Sequence, residues 1–267
     1  MDTAEQIRER ASDQGGGPFA ITFPGEEASG HEQDEEWCEV VLDGKPTRIR
    51  LHDYEAIFGI PGLYEQLFCE ELECQSPRVV REVMAEVLET TELRADQLRV
   101  LDVGAGNGMV AEELADLGAQ GLVGVDIVPE AASAAARDRP GLYDDYHVVD
   151  LTEIPASTDR ALREADLNCI VCVAALGFGD IPPEAFAGAY DYVADGGLVG
   201  LSIKADFLSA EDDRSGFAEL ISRALDDGSL EVHGSRRFDH RLAADGGAIE
   251  YVALVAEKHG ELPLSRQ

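Results

Sequence analysis

Lysine is nearly missing from this chain: Lys45, Lys204 and Lys258 are the only three in 267 residues. Asp and Glu number 54 against 21 Lys and Arg, a formal net charge of −33. A surface this acidic repels phosphate backbones, so a nucleic-acid partner is not expected. The charge itself reads either as solubility, as in a salt-rich cell interior, or as attraction for a cationic substrate. Long apolar runs are also lacking. None approaches the about 20 residues that a helix needs to cross a bilayer. The N-terminus carries Asp2 and Glu5 and has no apolar core of the signal-peptide kind. Cysteine is scarce and odd in number at five, which suits reduced thiols in a cytoplasmic protein. Cys169 and Cys172 form C-x-x-C inside an apolar run. On a strand, positions three apart face opposite sides, so these two cannot share a metal. Cys69 and Cys74 lie in a better place, but no His or further Cys completes a zinc set. No metal is expected.

What is present divides the chain into three parts. Residues 1–36 read as a poorly ordered acidic tail, with a Gly15-Gly16-Gly17-Pro18 break, the run Glu32–Glu36, and room for a short helix at 4–11. Residues 37–92 form a cap segment. Its first half alternates as a hairpin, Cys38–Leu42 and Thr47–Leu51, turning at Asp43-Gly44. Two short helices follow, within His52–Phe58 and Leu63–Phe68, separated by Gly59-Ile60-Pro61-Gly62, and then a helix from Arg78 to Leu88 opened by Pro77 with Ser76 as N-cap. The segment is too small to hold a core of its own and must lean on its neighbour. The aromatic stripe Tyr54, Phe58, Tyr64 and Phe68 is either that docking face or the inner face of a lid.

Residues 93–267 alternate steadily between strand and helix. Strands are expected near 98–103, 121–126, 145–149, 168–174 and 196–203, and helices near 108–117, 129–137, 157–164, 183–194 and 212–225. Such alternation builds a parallel sheet with helices on both faces. Two final strand-like runs, 230–238 and 248–257, follow each other without a helix, so the last strand is antiparallel to its neighbour.

The organising stretch is Arg99-Val-Leu-Asp-Val-Gly-Ala-Gly-Asn-Gly108. An apolar strand runs into three glycines at alternate positions, and a helical pattern begins at Met109. Gly104 and Gly106 let the backbone approach a ligand, and the new helix presents unpaired N–H groups. Asp126 ends the next apolar run, where it could hold the two hydroxyls of a ribose, and Asp150 ends the one after. In open sheets of this kind ligands bind outside the carboxyl ends of the strands, where strand order reverses.

These residues resemble class I S-adenosylmethionine-dependent methyltransferases, over roughly Leu98 to Lys258. The resemblance implies a Rossmann-like, mostly parallel seven-stranded sheet with the last strand antiparallel and N-terminal helices as a lid over the cofactor; the N-terminal hairpin read above, which completes the cap, is not part of that pattern. It implies S-adenosylmethionine as cofactor, with Asp102, Gly104, Ala105, Gly106, Asn107 and Gly108 as the first motif and Asp126-Ile127 at the ribose. Asp150-Leu151 would contact the adenine, with Val173 and Tyr64 also at the cofactor. Families that methylate amino groups of bases or amides carry Asn or Asp, Pro, Pro and an aromatic residue after the fourth strand. Here Ala175-Leu-Gly-Phe178 stands instead, which argues against adenine or glutamine as acceptor. Gly141–Asp145, Val149–Thr152 and Pro182–Phe186 are similar to the methyltransferase-like protein of the Williams–Beuren region and its bacterial relatives. A small-molecule acceptor is expected, with Tyr54, Phe178 and Asp180 on its side of the site.

No catalytic residue stands out, because transfer from a sulfonium asks mainly for alignment and water exclusion. His52, Tyr54, Tyr64, His147, His233 and His240 are the candidates for a base. Two rival readings remain. Asp126 lies about 20 residues beyond Gly104, as in a nicotinamide-binding oxidoreductase, although position 109 is Met rather than Gly. The fold could also serve as a noncatalytic binding protein. Oligomeric state is not legible.

Overall fold

The computed structural model describes residues 19–25, 33–177, 180–208 and 215–264. Among them, strands β4 (Arg99–Val103), β5 (Gly121–Asp126), β6 (Asp145–Val148), β7 (Cys169–Val173), β8 (Leu198–Lys204), β9 (Leu230–Leu242) and β10 (Ala248–Lys258) form one seven-stranded sheet. Its order is β6-β5-β4-β7-β8-β10-β9. The first five are mutually parallel, and β10 runs antiparallel to both β8 and β9. The reversal has a local cause. Only 243–247 separate β9 from β10, and Ala243 N–H donates to the Gly247 carbonyl at 2.7 Å, a connection too short for a parallel crossover. β4, β7 and β8 are buried almost throughout, as strands covered on both faces must be.

Helices α3 (Ser76–Leu88) and α4 (Met109–Leu117) cover one face. Val79, Val80, Val83 and Val87 recur at helical spacing along α3 and are buried with Ala111 and Leu114 of α4, each Val contributing about 1.5–3 kcal/mol. Helices α6 (Ala156–Glu164), α7 (Pro183–Tyr190) and α8 (Phe217–Asp227) cover the other through Leu162, Phe186, Tyr190, Phe217 and Leu220. Cys169 belongs to the first layer and Cys172 to the second, as the period of a strand requires.

The cap is larger than its sequence suggests. β1 (Ile21–Thr22), β2 (Trp37–Leu42) and β3 (Lys45–Arg50) form a separate antiparallel sheet. The hairpin turns at Asp43 and Gly44, both at positive φ (51° and 72°), as a two-residue turn with the right twist demands. The reading of 1–36 as a tail is therefore corrected for the residues described. Phe19 is buried, and its N–H donates to Gln66 Oε1 at 2.6 Å while Gln66 Nε2 donates back to the Phe19 carbonyl at 2.8 Å. Glu36 is buried too. Arg241 donates to it at 2.5 Å and Ala244 N–H at 2.6 Å, partners that make burial of its charge tolerable. The expected helix at 4–11 lies outside the described residues.

After β3 come α1 (Tyr54–Gly59) and α2 (Leu63–Glu65), the latter continuing as a π-helical turn over Gln66–Glu71. Ser76 is not an N-cap. It is the first residue of α3, and its hydroxyl shares a 2.7 Å hydrogen bond with Nδ1 of His240 on β9. Burial pushes the His240 imidazole down to about 3, so the pair is neutral. Cap and sheet are also tied through the backbone, Gln75 N–H to the His240 carbonyl and Leu242 N–H to the Leu72 carbonyl, both at 2.8 Å.

Candidate functional site

Strand order reverses beside β4, which has β5 on one side and β7 on the other. A cavity of about 390 Å³ opens at their carboxyl ends, within the range of small-molecule sites. Four of the five parallel strands deliver a piece of wall: Gly104 and Gly106 after β4, Asp126 to Val128 at the end of β5, Val149 to Leu151 after β6, and Val173 to Ala175 at the end of β7. The cap closes the cavity with His52 to Glu55, Phe58 and Tyr64, and Asp180 to Pro182 complete the lining.

The turn after β4 is held from both sides. Gly106 N–H donates to Asp126 Oδ2 at 2.9 Å, and Tyr146 Oη of β6 donates to the Gly106 carbonyl at 2.8 Å. The other Asp126 oxygen accepts from Val128 N–H at 2.9 Å. Burial pushes the Asp126 carboxyl up, while the amides of Val128, Gly106 and Ile127 pull it back down. Gly104 and Gly106 both have positive φ (69° and 55°). A Cβ at Gly104 would come within 2.9 Å of Ala175 Cβ, and one at Gly106 within 3.1 Å of the Phe58 ring. Both turn residues need glycine.

Of the residues expected at a cofactor, Gly104, Gly106, Asp126, Ile127, Asp150, Leu151, Val173 and Tyr64 line this cavity. The other four do not. Asp102 is buried behind the turn and accepts from Tyr143 Oη at 2.7 Å. Burial pushes its carboxyl up to about 7, against the pull of Tyr143 and with a further push from Asp126. That bond ties β4 to the segment entering β6. Ala105 and Asn107 face a smaller void of about 50 Å³ beyond the turn, which also touches Tyr64 and Val173. Asn107 Nδ2 reaches Glu65 on α2 and Asp138 on α5 (Pro129–Asp138), at 3.4 and 3.3 Å. Gly108 is the left-handed residue that starts α4, packed under Arg139, Leu142 and Tyr143. Asp150 sits at the rim, exposed, with one oxygen accepting from Thr152 N–H at 2.8 Å and Thr152 Oγ1 at 2.7 Å. Those bonds hold its carboxyl below the usual range.

On the acceptor side, Tyr54 and Asp180 line the cavity, and Phe178 lies outside the described residues. Among the candidate bases, His52, Tyr54 and Tyr64 also reach the cavity. His147 faces a different void, of about 160 Å³, that also touches Arg99 and Gly121 at the far ends of β4 and β5. His233 pairs with Glu257 at 3.2 Å on the hairpin, and His240 is enclosed with Ser76. His52 Nδ1 lies 3.5 Å from Asp180 Oδ2. The four aromatic residues stack in sequence, with Phe58–Tyr64 centroids 4.6 Å apart and Tyr64–Phe68 4.8 Å. Phe58 also packs on Ala131 and Ala134 of α5, so the stripe both docks the cap and faces the cavity.

Sequence reasoning passed over Asp53, Glu55 and Val128 as lining residues. Their places directly after β3 and β5 were the available signal. Ala174 has φ of 56°, a left-handed conformation that alanine disfavours and that no residue type announces.

Among solved structures the chain is similar to magnesium protoporphyrin IX methyltransferase from Synechocystis PCC 6803 with bound SAM, at 17% identity over 68% of this chain and 79% of that chain, TM-score 0.47. It is similar to N-methyltransferase NodS from Bradyrhizobium japonicum WM9, at 16% identity over 68% and 94%, TM-score 0.47. A putative RNA methyltransferase from Pyrococcus horikoshii is similar at 15% identity over 68% and 84%, TM-score 0.48. Comparison with curated proteins gives no match. The methyltransferase-domain family matches residues 75–242, more than half of the chain and the whole stretch from α3 to the end of β9, and the chain belongs to that family.

Proposed function

We propose that this protein is an S-adenosylmethionine-dependent methyltransferase acting on a small molecule. The observation that carries the reading is the meeting of the Gly104–Gly106 turn and the Asp126 carboxylate in one cavity at the point where strand order reverses. Membership of the methyltransferase-domain family supports it.

The wall fits the group. Asp126 spends one acceptor position of each oxygen on backbone N–H groups, and a carboxylate offers about four. It keeps capacity for the two hydroxyls of a ribose. Asp150 and the Leu151 backbone would meet the adenine, and Val173 and Tyr64 would flank the remainder. Asp102 acts from behind by holding β4 and the turn in place. When bound, the cofactor supplies a methyl group already activated on a sulfonium sulfur. The chain then has to align the acceptor, exclude water and take a proton where the acceptor carries one. The cap supplies the exclusion of water with Tyr54, Phe58 and Tyr64.

The same reading takes 37–75, extended by the strand β1 that pairs with it, as the cap, and counts α3, expected within a cap over 37–92 but packed on the main sheet, with the cofactor-binding domain that runs on through 93–267. It keeps the likeness to the Williams–Beuren-region protein and its bacterial relatives as the finer family, and the cytoplasm as the location. Among the described residues no helix is long and apolar enough to cross a membrane. Ultraviolet cross-linking with methyl-labelled cofactor followed by peptide mapping tests the site. Label on peptides holding Tyr64 or residues 104–108 is expected. Label confined to peptides remote from the cavity overturns the assignment.

A further inference from the structure

Five carboxylates line the cavity, those of Asp53, Glu55, Asp126, Asp150 and Asp180, and no Lys or Arg is among the described residues around it. With Asp126 and Asp150 given to the cofactor, the acceptor end keeps three acids with His52 and Tyr54. Two phenols add an independent observation. Tyr54 and Tyr64 are half-buried under the cap, and desolvation pushes both well up, Tyr54 with a further push from the Asp180 charge. Neither hydroxyl has a hydrogen-bond partner among the described residues. Both residues line the cavity, so their hydroxyls are open to a ligand there.

We propose, resting on the methyltransferase reading above, that the acceptor is a small amine that arrives as an ammonium ion. Asp180 and Tyr54 supply the recognition: a carboxylate to pair the charge, and a phenol whose oxygen accepts an N–H and whose ring face attracts a cation. An acceptor bearing carboxylate or phosphate would meet a lining of like charge with no Lys or Arg among the described residues to pair it. The acidic surface around the mouth raises the local concentration of cations in the same sense. Before attack, the ammonium must lose one proton. An N–H bond breaks, its electron pair stays on nitrogen as the lone pair, and the proton passes to the Asp180 carboxylate, which His52 Nδ1 flanks at 3.5 Å.

The experiment is calorimetry on the full chain saturated with S-adenosylhomocysteine, titrated with three probes on one skeleton: phenethylamine, phenylacetate and 2-phenylethanol. Phenethylamine is expected to bind at least tenfold more tightly than phenylacetate. Asp180→Asn should reduce that ratio at least fivefold and leave S-adenosylhomocysteine affinity within twofold. Phenethylamine binding no better than phenylacetate, or not at all, overturns the proposal while the cofactor reading stands. Failure of S-adenosylhomocysteine itself to bind overturns the underlying reading and the proposal with it.

Discussion

The carboxylate of Asp126 and the amide of Gly106 are joined by a 2.9 Å hydrogen bond across the mouths of two neighbouring strands. One side chain thus shapes the glycine turn and faces the cavity. Asp126→Ala should lose about 1–3 kcal/mol of cofactor binding, from the unpaired ribose hydroxyls and the slackened turn together. Asp150→Asn should cost less, because that carboxylate is exposed and already engaged by Thr152. Titration of both variants with S-adenosylhomocysteine checks the order, and equal losses would contradict it.

Tyr146→Phe removes the donor to the Gly106 carbonyl. The expected cost is about 1 kcal/mol of folding stability, read from urea melts, with a several-fold drop in cofactor affinity. An unchanged urea midpoint and an unchanged affinity together would show that the turn holds without this bond.

Asp102 makes stability depend on pH. Its folded carboxyl is pushed up to about 7, above the ordinary 3.8, so the folded chain binds the proton more tightly than the unfolded one. The contribution is full below about pH 4 and is lost as pH rises to about 7, by roughly a few kcal/mol at most. Asp102→Asn should flatten this part of the stability curve, measured as urea midpoints between pH 4 and 8. A wild-type curve whose Asp102-dependent part rises over that window would contradict the burial argument.

The cap predicts a protection pattern. Phe58 sits on Gly106, Ala131 and Ala134, and Arg139 of the main domain pairs with Glu65 at 2.7 Å. Cofactor binding should slow hydrogen exchange across residues 52–70, with Gly59 and Gly62 as the points that yield. Phe58→Ala should destabilise the cap by about 3–5 kcal/mol and abolish the added protection. Unchanged exchange in the wild type would leave the cap as packing alone.

Much of this was legible in the sequence because the period of apolar residues sets each element. The glycine turn, the run ending at Asp126 and the helix-free return into β10 all follow from local patterns. What the patterns did not carry was the destination of polar side chains. Asp102 and Asn107 lie within the glycine motif, yet Tyr143, Glu65 and Asp138 claim them through contacts between distant segments. Ser76 had the residue type and place of an N-cap but turns to His240, 164 positions away. Glu36 read as part of a solvated acidic run, and distant partners, Arg241 on β9 and the Ala244 amide, make its burial possible. One clue to the bracing of the turn was present. Gly124 interrupts a buried strand, and a Cβ there would come within 2.8 Å of the Tyr146 ring, the close approach that a glycine inside a strand signals.

The most direct test of the central claim is calorimetry of the full chain against S-adenosylmethionine, S-adenosylhomocysteine, NADH and NADPH in parallel. The account expects one site per chain for the first two and no heat from the nicotinamides. Binding of NADH or NADPH with none of S-adenosylmethionine would contradict it.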